Sequence, residues 1–442
     1  MEVTRITTKE IQKTQELIDF IKKSPSCYHV IHNIAAELEE AGYEQLNEAK
    51  EWTLHKGGRY FVTRNQSSLI AFTLPEETLG GFLICASHSD SPTFKLKSTY
   101  EMTVDDRYLK LNVEKYGGMI CSTWLDRPLS VAGRVMVSTD KGIESRLVNL
   151  AQDLLVIPSL APHMDRTVNE GKKLTAQTDL MPLLGKGNVD ILELAAKELG
   201  VARQQILAQD LFVYNRETGT RLGPEGELIL CPRLDDLQCV YGLLEGFLRQ
   251  EAPLETPVLC LFDNEEIGSS TAQGAMSTLL PDVLRRICLE RDMGETEYLR
   301  LLSGSMMVSA DNAHGVHPNH PEKAALTNRP KLGDGVVVKY GTGYATTGAS
   351  AGLLLDMLRK KEIPVQSYFN HSDVAGGSTL GALSVTQVSV RTVDIGLAQL
   401  AMHSANETAG AADIGYLVDA METFFGAAIQ ETADGSYLVD IK

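Results

Sequence analysis

Acidic and histidine side chains stand where apolar runs of this sequence stop. The run VLCLF continues into DNEE, which ends in Glu265 and Glu266, and the run GFLICAS continues into His88 and Asp90. Ionised carboxylates at the end of a buried strand are costly unless a cation or hydrogen-bond donors meet them. Adjacent glutamates point in different directions, so one can bind a metal ion while the other transfers a proton. Taken by itself, the glutamate pair is more often the acidic first turn of a helix.

Further candidate ligands follow the same pattern elsewhere in the chain. Asp235 and Asp236 stand in PRLDDL before a predicted helix, Asp311 follows the run SMMVSA, and His403 lies in QLAMHSANE. Singly, each has an ordinary explanation as a helix cap, a solvated loop residue or a hydrogen-bonded histidine. Together with His88 they form a nitrogen and oxygen ligand set that suits zinc, with manganese or cobalt as alternatives.

The size of this ligand set predicts two divalent metal ions. It exceeds what one tetrahedral ion needs, and it fits two ions about 3.5–4 Å apart with one aspartate bridging them. A spare carboxylate would then act as base for the attacking water. In the triplet His88-Ser-Asp90, the aspartate can accept the second ring N–H of the histidine and fix its tautomer.

The elements that carry these residues predict an α/β protein. Helices are predicted at 8–22, 28–41, 190–199, 237–249, 282–302, 349–360 and 415–429, and strands at 81–87, 258–262, 306–310, 365–369 and 385–393. Between about 94 and 230 the pattern changes to alternating apolar and polar residues separated by turns, which is typical of antiparallel sheets. We therefore expect a mixed central sheet flanked by helices in a discontinuous domain, 1–93 plus 231–442, and an inserted β-rich domain at 94–230.

Charge, hydropathy and cysteine spacing indicate which partners and which cellular compartment this protein can have. The 442 residues carry a net charge of −17, which argues against nucleic acid and anionic membranes as partners. No apolar run approaches the roughly 20 residues of a membrane span, and the first residues lack the apolar core of a signal peptide. The seven cysteines are scattered without CxxC pairs, which favours a reducing compartment, and we expect a cytoplasmic protein.

Eight strings, in order along nearly the whole chain, resemble the aspartyl aminopeptidase family of cytosolic di-metal exopeptidases. They are ASHSDSP (86–92), STWLDRPLSVAGRV (122–135), IPSLAPHMDR (157–166), CPRLDDL (231–237), LFDNEEIGSSTAQGA (261–275), SADNAHGVHPN (309–319), GGSTLG (376–381) and AMHSANET (401–408). The resemblance implies a zinc aminopeptidase type of fold and the removal of single N-terminal residues from peptides. Several strings are long, so chance matching is a poor explanation.

The resemblance also implies a role for each matched ligand. Asp235 would bridge the two metal ions. His88 and Asp311 would complete one site, and Glu266 and His403 the other. In the same family pattern Asp90 would orient His88.

Two catalytic residues are implied as well. Glu265 would be the general base, and His163, from the inserted domain, would reach the active site of a partner subunit and polarise the scissile carbonyl. The inserted domain would then be a dimerisation domain. The family assembles such dimers into tetrahedral dodecamers with interior active sites.

The substrate pocket is the part of the resemblance where this sequence departs from the family. Members that prefer acidic residues place a basic side chain just before a Tyr-Ala motif, but the segment 339–345 reads KYGTGYA, with no Lys or Arg after Lys339. An acidic preference is therefore an open question. Lys339, His371 and Asp373 are candidate pocket residues, although a capping turn explains His371 and Asp373 equally well. The three histidines in AHGVHPNH (313–320) are predicted to be loop residues.

Two other functions compete with a peptide-cleaving enzyme. One is a different amidase of the same metal fold, such as a deacylase or carboxypeptidase, and the strings in the inserted region argue against it. The other is a self-assembling shell protein with a vestigial site. The complete set of ligands and the base argue against that reading.

Overall fold

A nine-stranded mixed sheet forms the centre of the protein. The structure is a computed structural model and describes residues 7–77, 79–187, 189–374, 376–377 and 379–442. From one edge to the other, the strands are Glu44–Leu46, Arg59–Arg64, Ser68–Thr73, Thr256–Phe262, Phe82–His88, Met306–Ala310, Arg391–Gly396, Val336–Lys339 and Val365–Tyr368. The mixed α/β fold predicted from the sequence is confirmed.

Three neighbouring strands in the middle of this sheet run parallel to one another. Thr256–Phe262 pairs with Phe82–His88 in a register that sets Phe262 beside His88, and Met306–Ala310 pairs with the other side of Phe82–His88. All residues of the three strands are buried. Parallel strands end at the same edge of a sheet, so this arrangement brings together the segments that follow them.

Helices cover both faces of the central sheet, which explains why its strands are continuous apolar runs. Within Phe82–His88, Leu83 and Cys85 join one apolar cluster, while Phe82 and Ile84 join the other. The helices are Thr8–Lys23, Cys27–Glu40, Leu234–Leu248, Leu279–Leu289, Glu295–Gly304, Gly348–Lys360, Leu380–Ser384 and Asp413–Phe425. Two further helices, Ala176–Asp179 and Ile191–Leu199, contribute apolar residues to a different core. Within the described residues, no helix combines the length and apolarity that crossing a membrane requires.

A second, six-stranded sheet is antiparallel throughout and has its own apolar core. Its strands, from edge to edge, are Gly142–Asn149, Leu129–Thr139, Ile206–Asn215, Thr93–Val104, Tyr108–Tyr116 and Leu183–Lys186. All of them lie between residues 93 and 215, where the sequence pattern predicts antiparallel strands. The division into domains at 93/94 and 230/231 stays a prediction.

A third sheet, of five strands, combines segments that are distant in the sequence. It contains, in order, Thr220–Leu222, Leu228–Cys231, Glu407–Gly410, Ala398–Leu400 and Ala313–His314. Three of the predicted ligands, Asp235, Asp311 and His403, lie within four positions of these strands in the sequence. The sheet therefore positions segments that are far apart in the sequence.

Three predicted elements differ from the observed ones. The segment 282–302 is two helices, because Asp292 adopts a left-handed conformation with φ of 56° and Gly294 caps the second helix. The segment 385–393 follows a short helix, and its strand begins only at Arg391. The last predicted helix ends at Phe425, and a hairpin of Ala427–Ala433 and Ser436–Ile441 follows, with Gly435 at its turn.

Candidate metal centre

The ends of the parallel strands bring candidate ligands from distant segments into one cluster. His88 is the last residue of its strand, Glu265 and Glu266 follow the neighbouring strand, and Asp311 follows the third. Two further candidate ligands come from outside this sheet: Asp235 near the start of Leu234–Leu248, and His403 from the loop between two strands of the third sheet.

Asp235 lies at the centre of this cluster. Its Oδ1 is 3.7 Å from Nε2 of His88, and its Oδ2 is 3.2 Å from Nε2 of His403. His403 Nε2 is also 3.6 Å from Oε1 of Glu266. Three overlapping groups have ligand atoms within 4.8 Å of one another: His88, Asp235 and Asp311; His88, Glu265 and Glu266; and Asp235, Glu266 and His403. One aspartate thus offers a separate oxygen to each of two histidines.

Two oxygens in this cluster lack a hydrogen-bond partner although they are buried. They are Oδ1 of Asp235 and Oε1 of Glu266. A buried carboxylate oxygen without a donor is strongly unfavourable, and a bound cation supplies the missing interaction. The donor set of imidazole nitrogens and carboxylate oxygens is one that zinc binds. The residues present therefore fit a metal ion.

The electrostatics of the cluster also favour a bound cation. Burial, followed by repulsion from Asp235, raises the pKa of Glu266 well above its usual range. Burial, together with repulsion from nearby carboxylates such as Asp311, raises the pKa of Glu265 to about 7, although His88 acts in the opposite direction. Crowded buried carboxylates are costly unless cations offset them, which is the situation that divalent ions relieve.

Asp90 holds the backbone of the two adjacent glutamates. Its Oδ1 accepts the N–H of Glu265 and its Oδ2 accepts the N–H of Glu266, each at 3.2 Å. The buried hydroxyl of Tyr116 donates to Oδ2 at 2.7 Å. Nδ1 of His88 is 3.1 Å from the carbonyl oxygen of Asp90 and 3.4 Å from its Oδ1. Asp90 therefore contacts His88, as predicted, and it also holds the backbone of Glu265 and Glu266. The spacing of His88 and Asp90 in the sequence does not indicate this second role.

Lys339 is buried against Asp311. Its ammonium donates to the carbonyl oxygens of Asp311 at 2.7 Å and Asn312 at 3.1 Å, and it lies 3.4 Å from Oδ2 of Asp311. An ammonium has three N–H donors, and these three acceptors match them. Lys339 therefore faces a predicted ligand.

Three other predicted residues lie outside the cluster. His163 is exposed in the segment that follows Leu129–Thr139 and Gly142–Asn149. His371 lines a cavity of about 480 Å³, while the side chain of Asp373 is 91% exposed, 4.0 Å from Nδ1 of His371. His314, predicted as a loop residue, lines the same cavity.

Glu407 is a buried residue of the site that sequence reasoning missed. It begins the strand Glu407–Gly410 and hydrogen-bonds to the backbone of two candidate ligands. Its only signal in the sequence is a glutamate among small residues, four positions after His403.

Comparisons with known proteins identify relatives over almost the whole chain. Residues 20–425 match a family model described as aminopeptidase I zinc metalloprotease (M18). A probable M18 family aminopeptidase 2 from Clostridium novyi is 41% identical over 94% of this chain and 99% of its own length. A protein of the same name from Pseudomonas fluorescens is 40% identical over 93% and 98%.

Solved structures agree with these sequence matches. A chain of the cryo-EM structure of the Ape4 and Nbr1 complex superposes with a TM-score of 0.91, at 33% identity, over 96% of this chain and 87% of that one. The S. cerevisiae mApe1 dodecamer gives a TM-score of 0.83 at 28% identity over 94% and 96%. The family predicted from the eight strings is confirmed: this chain belongs to the M18 family of zinc metalloproteases, and it is an aminopeptidase, a metal-dependent hydrolase.

Proposed function

We propose that this aminopeptidase removes single N-terminal residues from peptides with two divalent ions, most simply zinc. The ligands we assign are His88, Asp235 and Asp311 for one ion, and Asp235, Glu266 and His403 for the other. The observation that carries this proposal is the position of Asp235, whose two oxygens face different histidines. Its unpartnered Oδ1 supports a bridging role.

The reaction needs a base beside the ligands, and Glu265 is our assignment. When bound, metal ions at these ligands would lower the pKa of a water molecule and polarise the substrate carbonyl. Glu265 takes the proton from the attacking water and then gives it to the leaving amine. Asp90 keeps Glu265 in place by accepting its backbone N–H.

The cavity beside the cluster is our candidate pocket for the N-terminal side chain. Its lining includes His314, which follows Asp311 by three residues, and Ala401, which precedes His403 by two. Its basic lining residues are His314, His317, His320, Lys323 and His371. Among the described residues, no Asp or Glu lines it. Lys339 donates a hydrogen bond to Asp311 instead of facing this cavity. We therefore propose that the basic lining residues determine which charge the enzyme selects on the N-terminal side chain of the substrate.

A panel of aminoacyl substrates carrying Asp, Glu, Ala, Leu and Lys tests this proposal. We expect Asp and Glu to be cleaved about tenfold or more faster than Lys, the discrimination that one charge-assisted hydrogen bond supplies. Lys323→Met should lower the Asp-to-Lys ratio of kcat/KM and leave Ala unchanged. Equal turnover of Asp and Lys would contradict the pocket assignment. A metal-loaded protein that cleaves none of the five would contradict the proposed function.

The active form is proposed to be a cytoplasmic homo-oligomer, with residues 94–230 as the dimerisation domain and dimers assembled into a tetrahedral dodecamer. The mApe1 relative is a dodecamer, which supports an oligomer. His163 is flanked by exposed apolar side chains, Leu160 at 42% and Met164 at 75%. Exposed apolar side chains that lie together are compatible with a contact to another subunit. We assign His163 to the active site of the partner subunit, where it stabilises the developing oxyanion.

Complementation between two inactive variants tests the assignment of His163. His163→Ala and Glu265→Gln should each be inactive, since one loses the oxyanion donor and the other the base. Co-assembly should restore activity, because a site with its own Glu265 would receive His163 from the Glu265→Gln subunit. Two Glu265→Gln preparations mixed in the same way are the control. Absence of recovery in verified mixed oligomers would show that His163 acts within its own chain or not at all.

A further inference from the structure

Glu407 connects two ligand-bearing segments through one buried carboxylate. Its side chain is 1% exposed, its Oε2 accepts the N–H of Asp235 at 2.8 Å, and its Oε1 accepts the N–H of His403 at 2.7 Å. Among the described residues it forms no ion pair with lysine or arginine. Both oxygens are therefore occupied by the backbone of two proposed ligands.

Strand pairing joins the two segments up to Cys231 and Glu407, which lie four positions from Asp235 and from His403 in the sequence. Asp235 stands near the start of a helix, whereas His403 lies in a loop. The backbone of His403 has a φ of 67°, in the left-handed region that residues other than glycine rarely adopt. Their side-chain atoms must nevertheless approach within 3.2 Å. A conformation of this kind persists where surrounding contacts determine it, and the hydrogen bond from the His403 N–H to Glu407 is such a contact.

We propose that Glu407 is a positioning residue that sets the separation of Asp235 and His403 and thereby the affinity of the metal site they share with Glu266. This inference rests on the proposed function, since it takes these three residues as ligands. Groups that hold metal ligands from behind typically change metal affinity or activity by about 10- to 100-fold when they are replaced. Glu407 acts on the backbone of the ligands.

The competing explanation is that Glu407 only stabilises the fold. The chain offers a matched residue for that comparison. Asp413 is also fully buried, and its carboxylate accepts the N–H groups of Gly333 at 2.7 Å and Gly335 at 2.9 Å. It belongs to none of the groups of candidate ligands. Replacing either carboxylate by an amide leaves one backbone N–H without an acceptor. The two variants should therefore lose a similar amount of folding free energy.

The experiment compares Glu407→Gln with Asp413→Asn in the full chain, with zinc alone as the probe. We expect Glu407→Gln to weaken the second zinc equivalent by about 10- to 100-fold in chelator competition. At limiting free zinc, kcat should fall while KM stays near the wild-type value, and added zinc should restore part of the rate. Asp413→Asn should lose thermal stability and keep the wild-type zinc affinity.

Two results would overturn the inference. One is a Glu407→Gln protein with unchanged zinc affinity and only the stability loss of Asp413→Asn. The other is a wild-type chain that binds fewer than two zinc ions, which would also remove the proposed function and is visible before any variant is made. If Glu407→Gln does not fold, Glu407→Asp keeps the charge with a shorter reach. An unchanged zinc affinity in that folded variant would equally contradict the inference.

Discussion

Replacing Glu265 by glutamine is expected to abolish peptide hydrolysis while the metal content stays unchanged. Glutamine has the shape of glutamate but cannot take up the proton of the attacking water. A positioned general base contributes about 10²- to 10⁴-fold to a rate, so kcat/KM should fall by that factor or more. The backbone N–H that Asp90 accepts is untouched, and Glu265 is not among the ligands we assign. The measurement combines steady-state kinetics with metal analysis of the same sample.

Glu255 provides the control for this substitution. It precedes the strand Thr256–Phe262, at the end opposite to Glu265, and burial raises its pKa to about 7 as well. Glu255→Gln changes the same chemical group at the same strand and should retain activity. A Glu265→Gln protein with two metal ions and more than about a tenth of the wild-type rate would exclude Glu265 as the base, because that loss is smaller than base catalysis provides.

The central part of the fold was predictable because its signals are local. Runs such as VLCLF and GFLICAS are apolar on both faces, which is typical of strands covered by helices on both sides. The polar residues that follow His88 and Phe262 then mark the edge of the sheet where ligands bind. Which aspartate lies between the two histidines was not predictable from spacing, and the resemblance to the family pointed to Asp235.

The residues behind the ligands could not be predicted in the same way. Glu407 and Lys339 act through hydrogen bonds to Asp235 and Asp311, which are distant from them in the sequence. No local pattern distinguishes a buried charge that binds backbone groups from a solvated one. Lys339 is an example. The sequence made it a candidate for contact with the substrate, whereas in the structure its ammonium group faces three acceptors on Asp311 and Asn312.

Misassigned elements have a similar physical cause. The segment 282–302 keeps a helical pattern of apolar residues across the break at Asp292, where a left-handed conformation interrupts the helical backbone. In the C-terminal segment, an Asp-Gly turn at 434–435 connects the two strands of a hairpin. The apolar residues that precede this turn are equally compatible with a helix. Short apolar runs do not separate helix from strand, and packing decides between them.

Replacing Asp235 by alanine is expected to remove both metal ions, whereas replacing Asp311 by alanine should remove one. Asp235 belongs to two groups of candidate ligands, with His88 and Asp311 in one and with Glu266 and His403 in the other. Losing a shared carboxylate takes a ligand from both sites and leaves the remaining acids to repel one another. Asp311 belongs only to the first group.

Metal analysis after dialysis against limiting zinc separates these outcomes. The wild type should hold two ions per chain, Asp311→Ala one, and Asp235→Ala none, with activity lost in both variants because each ion contributes to the charge that the transition state needs. Asp413→Asn, which removes a buried carboxylate outside these groups, should keep both ions. If Asp235→Ala keeps one ion, Asp235 serves a single site, and the two-ion arrangement built on its two oxygens is wrong. Equal metal loss in Asp235→Ala and Asp311→Ala would instead mean that the two sites bind their ions together.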